Sequence, residues 1–506
     1  MLEAVRRTAA DRRYAGHSDI TSKPGESLPM QKPLSIVLAA GLTACASAQS
    51  TTESAALRII DAPVVNLPDT AASAVPVVID ASAFNAETAL LPLGTGETLR
   101  ISIDRTRHHS DISTGWSGTA LGVEHGWFSF VQYDDAFHGI IGAGELGTFE
   151  LRASGQHTDD GQLIYNLIKV DNSKFLGCAT DELQQPARQG LRPVDVSATP
   201  TPGTTVDTHN HADNPGGPLY NVDDGSVIDV MIVYTTEART GWGGTNAIMA
   251  LAQNCIDTTN TTYENSNIGP LELNLVHAQE VSYAESGNAS TDIGRLQDDN
   301  DGHMDNVHPL RDQYGADLVA LLVDDFNACG VGFLAPYDEH LGFTVTDTGC
   351  AVGNLSFPHE IGHNMGAHHD RDNAGSAPFP YAYGWRWNGN NGTQYRTVMA
   401  YSPGSRQPYF SNPDINFQGA PTGVNDSEDN ARCHDNTRFS VAKFRDSVSI
   451  NDCIADTNND GVLSPADFSA WVAAFNTMSA ACDQNNDGSC TPADFSAWVA
   501  NFNAGC

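Results

Sequence analysis

Residues 359–370 read HEIGHNMGAHHD, and this stretch decides how the chain is interpreted. His359 and His363 are four residues apart, so on a helix their rings share one face and can both reach a metal ion. Glu360 lies beside the first ring and can contact a water on that metal without being a ligand. The pattern alone also fits an ordinary amphipathic helix, so the residues that follow it must decide between a metal site and such a helix.

The stretch continues in a way that an ordinary helix does not require. Gly366 allows a sharp turn, after which His369 can return as a third imidazole. Three neutral nitrogens leave the fourth position of a zinc ion open for water, which is the arrangement of a catalytic site. His368 is interpreted as a solvated neighbour, because the register from Gly366 selects His369.

A second motif lies about thirty residues downstream, where residues 397–401 (TVMAY) form a methionine turn at Met399. Together with the extended histidine pattern, this turn resembles the metzincin zinc peptidases. The chain is most similar to the reprolysin-like group and, within it, to bacterial peptidyl-Asp metalloendopeptidases. The residues that carry the resemblance are 228–239, 305–323, 359–370, 383–384 and 396–415, within a span of about 225–447.

The resemblance implies a zinc endopeptidase with named roles for nearby residues. Zinc polarises the scissile carbonyl and lowers the pKa of its water, and Glu360 acts as the general base. Asp370 and Met399 support the metal site from outside the ligand set, and Tyr401 stabilises the oxyanion. A packed tyrosine with no chemical role is the alternative for Tyr401.

The resemblance also implies cleavage beside Asp, which requires a cation to bind the substrate carboxylate. Arg406, just past the methionine turn, is the first candidate, followed by Arg396 and Arg386. One departure from the family is Pro358, directly before the first ligand. Proline is tolerated only in the first turn of a helix, so the helix is expected to begin near Ser356, with that serine as its N-cap.

The length of 506 residues predicts a multidomain protein. Its formal charge of −36 argues against binding to a phosphate backbone.

Residues 51–196 alternate apolar and polar positions and predict a β-rich pro-domain. Residues 197–218 are a Thr, Pro and Gly-rich linker and a processing site. Residues 219–448 predict an α/β metzincin domain with a mixed sheet and an active-site helix, and 449–506 form a third, small α-helical module. The acidic stretch 298–305 is interpreted as a turn.

The N-terminal region predicts export. Residues 30–48 have a basic start, an apolar stretch and a small-residue cleavage pattern, which is typical of a secretory signal peptide. Because this peptide begins at Met30, residues 1–29 are interpreted as an extension upstream of the true start. A lipoprotein anchored through Cys45 is the alternative, and free secretion is preferred. No stretch is long and apolar enough for a membrane span.

Export makes disulfides permissible. Without Cys45, nine of the ten cysteines remain, so eight can pair and Cys178 is the natural odd one. A bridge between Cys329 and Cys350 and bridges within the last 54 residues are favoured because they are local. Cys178 is a candidate latency switch, since its thiolate can take the open zinc position until the pro-domain is removed. Its flanking residues do not match the known cysteine-switch motifs, and a free or oxidised cysteine is the alternative.

The third module contains an internal repeat, DTNNDGVLSPAD (456–467) and DQNNDGSCTPAD (483–494), that matches calcium-binding loops. The predicted ligands are Asp456, Asn458, Asp460, Val462, Ser464 and Asp467, then Asp483, Asn485, Asp487, Ser489, Thr491 and Asp494. Each loop leads into a helix with an apolar face, formed by Phe468, Trp471, Val472 and Phe475, then by Phe495, Trp498, Val499 and Phe502. The module resembles a dockerin pair, which implies a cohesin-like or cell-surface partner, while intramolecular docking is equally open.

Two functions remain at this stage. The first is a secreted zinc endopeptidase that cleaves protein or peptide substrates and is stabilised by calcium. The second is a cell-surface adhesion protein with a peptidase-like domain. The presence of three ligands, a base and a methionine turn favours the first.

Overall fold

The structure is a computed structural model, and it describes residues 53–183, 223–448, 454–458, 463–485 and 489–504. Several sequence predictions lie outside these residues: the extension 1–29, the signal peptide 30–48, the linker 197–218, Cys45, Cys453, Cys506 and the calcium ligands Asp460, Val462 and Asp487. Among the described segments, no helix is long and apolar enough to cross a bilayer.

The first domain, residues 53–183 and called here the β-domain, is built on one antiparallel sheet of nine strands. Its strands are β1 (Leu57–Ile59), β2 (Ala71–Ile79), β3 (Thr88–Pro92), β4 (Thr98–Ser110), β5 (Ser113–Leu121), β6 (Trp127–Tyr133), β7 (Ala136–Gly142), β8 (Thr148–His157) and β9 (Leu163–Val170). Their order is β1-β2-β9-β8-β7-β6-β5-β4-β3, and hydrogen bonds from Ala56 N to Leu90 O and from Leu90 N to Ser54 O join its two ends. The apolar core consists of side chains of this domain only, so the predicted β-rich region is confirmed.

The second domain, residues 223–448, is called the α/β domain. Its central strands are β10 (Val227–Tyr234), β11 (Glu272–Glu280), β12 (Leu318–Val323), β13 (Gly330–Gly332) and β14 (Phe343–Asp347). They are ordered β11-β10-β12-β14-β13, with three parallel pairings and an antiparallel edge strand, β13. The predicted mixed sheet is confirmed. Strands β10 and β12 are apolar almost throughout, and β14 is buried as well, so helices cover both faces of the sheet.

Six helices surround this sheet: α1 (Thr236–Trp242), α2 (Thr245–Asn265), α3 (Ala289–Gln297), α4 (Val307–Gln313), α5 (Ser356–Asn364) and α6 (Asn430–Val441). Helix α5 carries the first two histidines and begins at Ser356, as Pro358 requires. The predicted N-cap was wrong: the cap residue is Leu355 in a left-handed conformation, and Ser356 lies inside the helix, where its hydroxyl accepts from Asn354. Residues 298–305 have no helix or strand, as expected for a turn.

Short strands complete the α/β domain below α5. They are β15 (His368–Asp370) with β16 (Tyr383–Gly384), then β17 (Arg386–Asn388), β18 (Gln394–Arg396) and β19 (Ser405–Arg406), and finally β20 (Asn416–Phe417) with β21 (Ala420–Pro421). Strands β17 to β19 form a three-stranded sheet around the methionine turn.

The C-terminal module contains α7 (Pro465–Thr477) and α8 (Pro492–Ala504), one after each repeated loop. Trp471 and Trp498 are buried, and their indole nitrogens donate to Cys482 O at 3.2 Å and to Ala455 O at 3.1 Å. The predicted apolar faces are only partly buried, however. The side chains that remain more than a third exposed are Phe468, Val472, Phe495 and Val499.

The cysteines pair less completely than predicted. Cys329 is bonded to Cys350, and Cys482 to Cys490, which are local bridges of the kind expected. The expectation that eight cysteines pair was wrong, because Cys178, Cys255 and Cys433 are all free. The last two are buried in separate parts of the core, where a thiol packs like a small apolar side chain.

Candidate active site

Three histidine rings converge at the active-site helix α5. His359 and His363 project from α5, and Gly366, with a φ of +91°, turns the chain so that His369 returns from β15. Nε2 of His369 lies 3.0 Å from Nε2 of His363 and 3.1 Å from Nε2 of His359. All three side chains are buried. The structure therefore brings together the three rings that the sequence singled out.

Hydrogen bonds on the outer nitrogens orient these rings. Nδ1 of His359 donates to Val398 O at 2.8 Å, and Nδ1 of His363 donates to Ala367 O at 2.9 Å. Because the outer nitrogen carries the proton, the Nε2 lone pair of each ring faces the shared point. Burial lowers the pKa of both rings well below the ordinary value and keeps them neutral. Three imidazole nitrogens around one point fit a zinc ion.

Glu360 places a carboxyl group beside the three rings. Its Oε1 atom is buried and has no hydrogen-bond partner in the described part of the chain, while Oε2 accepts from the Cys178 thiol at 3.3 Å. A Cβ atom on Gly330 would lie 2.4 Å from Oε1, so glycine at this position keeps space for the carboxyl. Burial raises the pKa of Glu360 to about 8. A carboxyl group with a raised pKa and an unpaired oxygen suits a general base.

The methionine turn supports α5 from below. A Cβ atom on Gly362 would lie 2.7 Å from Sδ of Met399, which shows how closely the turn packs against the helix. One oxygen of Asp370 accepts from Tyr401 N at 2.9 Å, and the other pairs with Arg386 at 2.6 Å. Asp370 therefore fixes the backbone of the methionine turn, on which Tyr401 stands.

A segment of the β-domain, residues 177–182, lies across this site and is called here the docked segment. Sγ of Cys178 is 3.5 Å from Nε2 of His363, and the Tyr401 hydroxyl donates to Cys178 O at 2.8 Å. The potential metal-binding atoms of Cys178 and the three histidines all lie within 4.8 Å of one another. Burial raises the pKa of the Cys178 thiol, so a thiolate at this position requires a cation, which a metal ion would supply.

The docked segment pairs with the edge of the sheet through an isolated β-bridge between Cys178 and Gly330. Cys329 N donates to Gly177 O at 2.8 Å, and Ala179 N donates to Gly330 O at 2.9 Å. These bonds place the segment parallel to the edge strand β13. A row of backbone bonds fixes the depth at which the Cys178 side chain enters the site.

Sequence reasoning missed two residues of the docked segment. Oδ2 of Asp181 lies 2.7 Å from Nδ1 of His369 and is the partner of the third ring, although 188 residues separate the two. The Thr180 hydroxyl donates to Gly332 O at 2.9 Å and accepts from Gly332 N at 3.0 Å. Neither residue lies in a recognisable motif, so only the three-dimensional pairing reveals them.

Arg406 lies at the same site. Nη1 donates to Asn354 O at 2.8 Å, and Nε is buried with no partner among the residues that the structure describes. Burial lowers the pKa of Arg406 to about 10, so the group remains cationic at neutral pH. It lines a cavity of about 410 Å³ that Glu124 and Glu145 of the β-domain also border. Arg406 therefore places a buried and incompletely paired cation beside a cavity that also has acidic side chains on its border.

The two other candidate arginines already have partners. Arg396 donates from Nε to Gly404 O at 2.9 Å and from Nη1 to Ala400 O at 2.6 Å, so it ties the methionine turn together. Arg386 pairs with Asp370 and Asp372. Arg406 is thus the candidate that the structure leaves best able to receive a substrate carboxylate.

The twelfth and last residues of the two repeats, Asp467 and Asp494, close the repeated loops of the C-terminal module and are called position 12. Asp467 accepts from Ser464 N at 2.8 Å and from Asn458 N at 3.3 Å. Asp494 accepts from Thr491 N at 2.6 Å and from Gln484 N at 2.9 Å. Asp456 is buried as well, and Asp483, Asn485 and Ser489 lie in the second loop. The described parts of the two loops therefore share the same closing hydrogen bonds.

The α/β fold, three convergent imidazoles, the adjacent glutamate and the methionine turn define a zinc-dependent metalloendopeptidase. Comparison with known proteins agrees: residues 224–411 match Reprolysin_5, metallo-peptidase family M12. A peptidyl-Asp metalloendopeptidase of Xanthomonas campestris pv. campestris is 30% identical over 80% of this chain and 92% of its own length. Two enzymes of the same name from Stenotrophomonas maltophilia are each 34% identical, over 44% and 58% of this chain and 53% and 68% of their own lengths. The chain belongs to this metallopeptidase family.

Proposed function

We propose that the chain is made as a latent zinc endopeptidase, with His359, His363 and His369 as ligands and Glu360 as general base. The convergence of the three Nε2 atoms within about hydrogen-bonding distance of each other, beside an unpaired carboxyl oxygen, carries the proposal. When bound, zinc supplies a Lewis acid that polarises the scissile carbonyl and lowers the pKa of water. Glu360 takes a proton from the attacking water and passes it to the leaving amine, so that one C–N bond breaks as one C–O bond forms.

Tyr401 is proposed to stabilise the oxyanion by donating a hydrogen bond. Its hydroxyl already donates to a backbone carbonyl, that of Cys178, which lies next to the histidines. A substrate carbonyl in the same place would receive the same bond, and such a bond is stronger when charge develops on the oxygen.

We propose that the enzyme prefers to cleave bonds beside Asp and that Arg406 binds the carboxylate of that Asp. The relatives are named for peptidyl-Asp bonds, and Arg406 combines a retained positive charge with an unpaired buried Nε. A guanidinium presents two parallel donors to a carboxylate, which distinguishes Asp from Asn.

Latency is proposed to come from the β-domain acting as a pro-domain. Cys178 occupies the open side of the ligand set, and its backbone fills the edge that β13 would otherwise offer. Removal of the segment after cleavage between the domains would then admit water and substrate. Secretion is proposed from the N-terminal sequence, with lipoprotein anchoring as the less favoured route.

The C-terminal module is proposed to bind two calcium ions and a cohesin-like or cell-surface partner. The support is the repeated loop sequence and the matching closure of both loops by Asp467 and Asp494. Aspartate in place of the bidentate glutamate at position 12 is expected to weaken each site.

A peptide library analysed by mass spectrometry tests the peptidase proposal and the Asp preference together. The processed protein is expected to cleave the library beside Asp, and cleavage should stop with a zinc chelator and in Glu360→Ala. A fully processed protein that holds zinc but cleaves nothing would leave the adhesion function as the better proposal. If the cleaved bonds show no enrichment of Asp, the peptidase proposal stands and the proposed preference for Asp is wrong.

A further inference from the structure

Exposed aromatic side chains lie on both sides of residues 449–453, which connect the α/β domain to the C-terminal module. Among the described residues, three phenylalanines are more than a third exposed, and they are Phe439 of α6 and Phe468 and Phe495 of the module. Val448 and Ile454, which flank the connection, are exposed as well. Large apolar side chains that remain together at a surface usually mark a place of contact.

On the α/β domain, Phe439 lies in a groove beside α6. This groove, called here the α6 groove, has a volume of about 790 Å³, and its aromatic walls are Tyr337, Phe379, Tyr381, Phe439 and Phe444. Tyr381 and Phe444 are buried, whereas Phe439 is 44% exposed. Phe379 stacks on Tyr381 with ring centroids 5.4 Å apart, and the Tyr381 hydroxyl accepts from Asn436 at 2.8 Å. The walls are therefore fixed by their own contacts, and the groove offers them an apolar partner's place.

The module carries an exposed apolar stripe. Phe468 and Val472 lie about one turn apart on α7, and Phe495 and Val499 have the same positions on α8. The rings of Phe468 and Phe495 are 5.9 Å apart, so the two helices present one continuous surface. All four side chains are more than a third exposed, and they are called here the apolar stripe.

The covalent connection keeps the stripe close to the groove. Five residues separate Val448 from Ile454, and fully extended they span about 20 Å. Phe444, in the wall of the groove, precedes Ile454 by ten residues. A connection this short gives the module a local concentration in the millimolar range at the surface of its own α/β domain. A partner from solution has to compete with that concentration.

The charges at the border of the groove also suit the module. Lys443 is the only lysine between residues 223 and 448, and it has no carboxylate within 4.0 Å among the described residues. The two acidic residues on the same border already have partners, since Glu339 pairs with Arg445 and Asp338 accepts from His340 N. Residues 449–506 contain seven Asp and no Lys, Arg or Glu. An unpaired cation is thus available to an acidic module.

We propose that the C-terminal module docks on its own α/β domain in the free protein, with the apolar stripe in the α6 groove and Phe439 against Phe468 and Phe495. Docking removes from water the apolar surface that both parts otherwise expose. The inference goes beyond the proposed calcium binding, because it takes from the chain itself the occupant of a face that an external partner would cover. A cohesin-like partner would then have to displace the module from the groove.

The test uses the full chain carrying Glu360→Ala, so that it cannot digest itself, and measures amide hydrogen exchange by mass spectrometry. Docking is expected to slow the exchange of residues 436–444 roughly 10-fold relative to a variant that also carries Phe468→Gln and Phe495→Gln. Met478→Gln is the matched control, because Met478 is exposed on the same module but lies past the end of α7, outside the stripe. Equal exchange in all three proteins would overturn the inference.

A change in the groove keeps the result interpretable if the double variant of the module does not fold. Phe439→Gln removes the exposed ring of the groove and is expected to speed exchange in α7 and α8. Val424→Gln, at an exposed valine that does not line the groove, should leave that exchange unchanged. If Phe439→Gln and Val424→Gln behave alike, the groove is not the docking site.

Two further measurements separate the rival explanations. Protection by an intramolecular contact should not change when the protein is diluted about tenfold, whereas protection lost on dilution would assign the stripe to a second copy of the chain and overturn the inference. Titration calorimetry measures calcium binding separately. A module that binds no calcium would remove the proposed calcium sites and leave the docking result standing, and a module that binds calcium without protecting α6 would remove the docking alone.

Discussion

Oδ2 of Asp181 lies 2.7 Å from Nδ1 of His369, so a carboxylate of the β-domain holds the third histidine ring. A carboxylate on the outer nitrogen fixes the orientation of an imidazole ligand and raises its basicity. Since Asp181 belongs to the docked segment, this support exists only while the β-domain is in place. Under the proposed latency, the unprocessed and processed forms would therefore differ around the third histidine as well as at Cys178.

Replacing this carboxylate is expected to loosen the metal in the latent form. Asp181→Asn should release zinc to a coloured chelator roughly 10-fold faster than the parent, within the range found for partners of metal ligands. The processed enzyme, from which residue 181 has gone, should be unchanged. Glu182→Gln is the matched control, and equal release rates in all three latent proteins would contradict the assigned role.

Removing the thiol is expected to weaken latency. The unprocessed Cys178→Ala protein should hydrolyse a fluorogenic peptide measurably, because the open side of the ligand set is no longer covered. Activity should stay below that of the processed enzyme, since Thr180 and Asp181 still hold the docked segment. Cys255→Ala, at a buried free cysteine in the core, serves as control. If Cys178→Ala stays as inactive as the parent, the proposal that Cys178 is a latency switch is wrong.

Tyr401→Phe tests the oxyanion role in the processed enzyme. Removing one donor to a developing oxyanion lowers kcat by about 100-fold or more, whereas KM should change little. Circular dichroism and zinc content should match the parent, because the Tyr401 backbone bond to Asp370 is retained. If kcat is unchanged in Tyr401→Phe, Tyr401 is a packed side chain with no role in stabilising the oxyanion.

Arg406→Met tests whether Arg406 binds the carboxylate of the substrate. The kcat/KM for an Asp-containing peptide is expected to fall at least 100-fold, while the value for its Asn analogue changes little, since only the first substrate needs the cation. Arg432→Met removes an exposed arginine that pairs with Asp426 and should leave both values unchanged. Equal losses for the two peptides would show that Arg406 supports the fold.

Calcium is expected to stabilise the C-terminal module selectively. At a calcium concentration of about 100 times Kd, binding adds about 2.7 kcal/mol per site to the free energy of unfolding, followed through Trp471 and Trp498 fluorescence. Asp467→Ala and Asp494→Ala should each remove part of that increment, whereas Asp435→Ala, on α6, should not. If calcium does not change the free energy of unfolding of this module, the repeats are simple turns and not calcium-binding loops.

The sequence predicted the part of the site whose ligands are close in the chain. The spacing of His359 and His363 is set by the helix, and Gly366 and His369 follow closely in the chain, so local rules suffice. The mixed sheet was also predictable, because apolar strands such as β10 and β12 alternate along the chain with helices. The N-cap was not, since Leu355 takes a left-handed conformation that its residue type disfavours.

Contacts between distant segments could not be predicted. Asp181 carries no motif, and its pairing with His369 depends on how the β-domain lies on the α/β domain. The choice among three arginines likewise required their partners, because Arg396 and Arg386 differ from Arg406 only in what already surrounds them. Sequence alone also left Cys255 and Cys433 as candidates for disulfides, although each is enclosed in a different core.

The pairing of the docked segment with the edge of the sheet has a consequence for what the enzyme can digest. If the segment leaves, as we propose, Cys329 N, Gly330 O and both backbone groups of Gly332 lose the partners that this segment gives them. A helix or a compact loop has no free row of amides and carbonyls to offer them, because its own bonds use those groups. We therefore expect the enzyme to leave tightly folded proteins intact and to cut stretches of a target that are already unravelled.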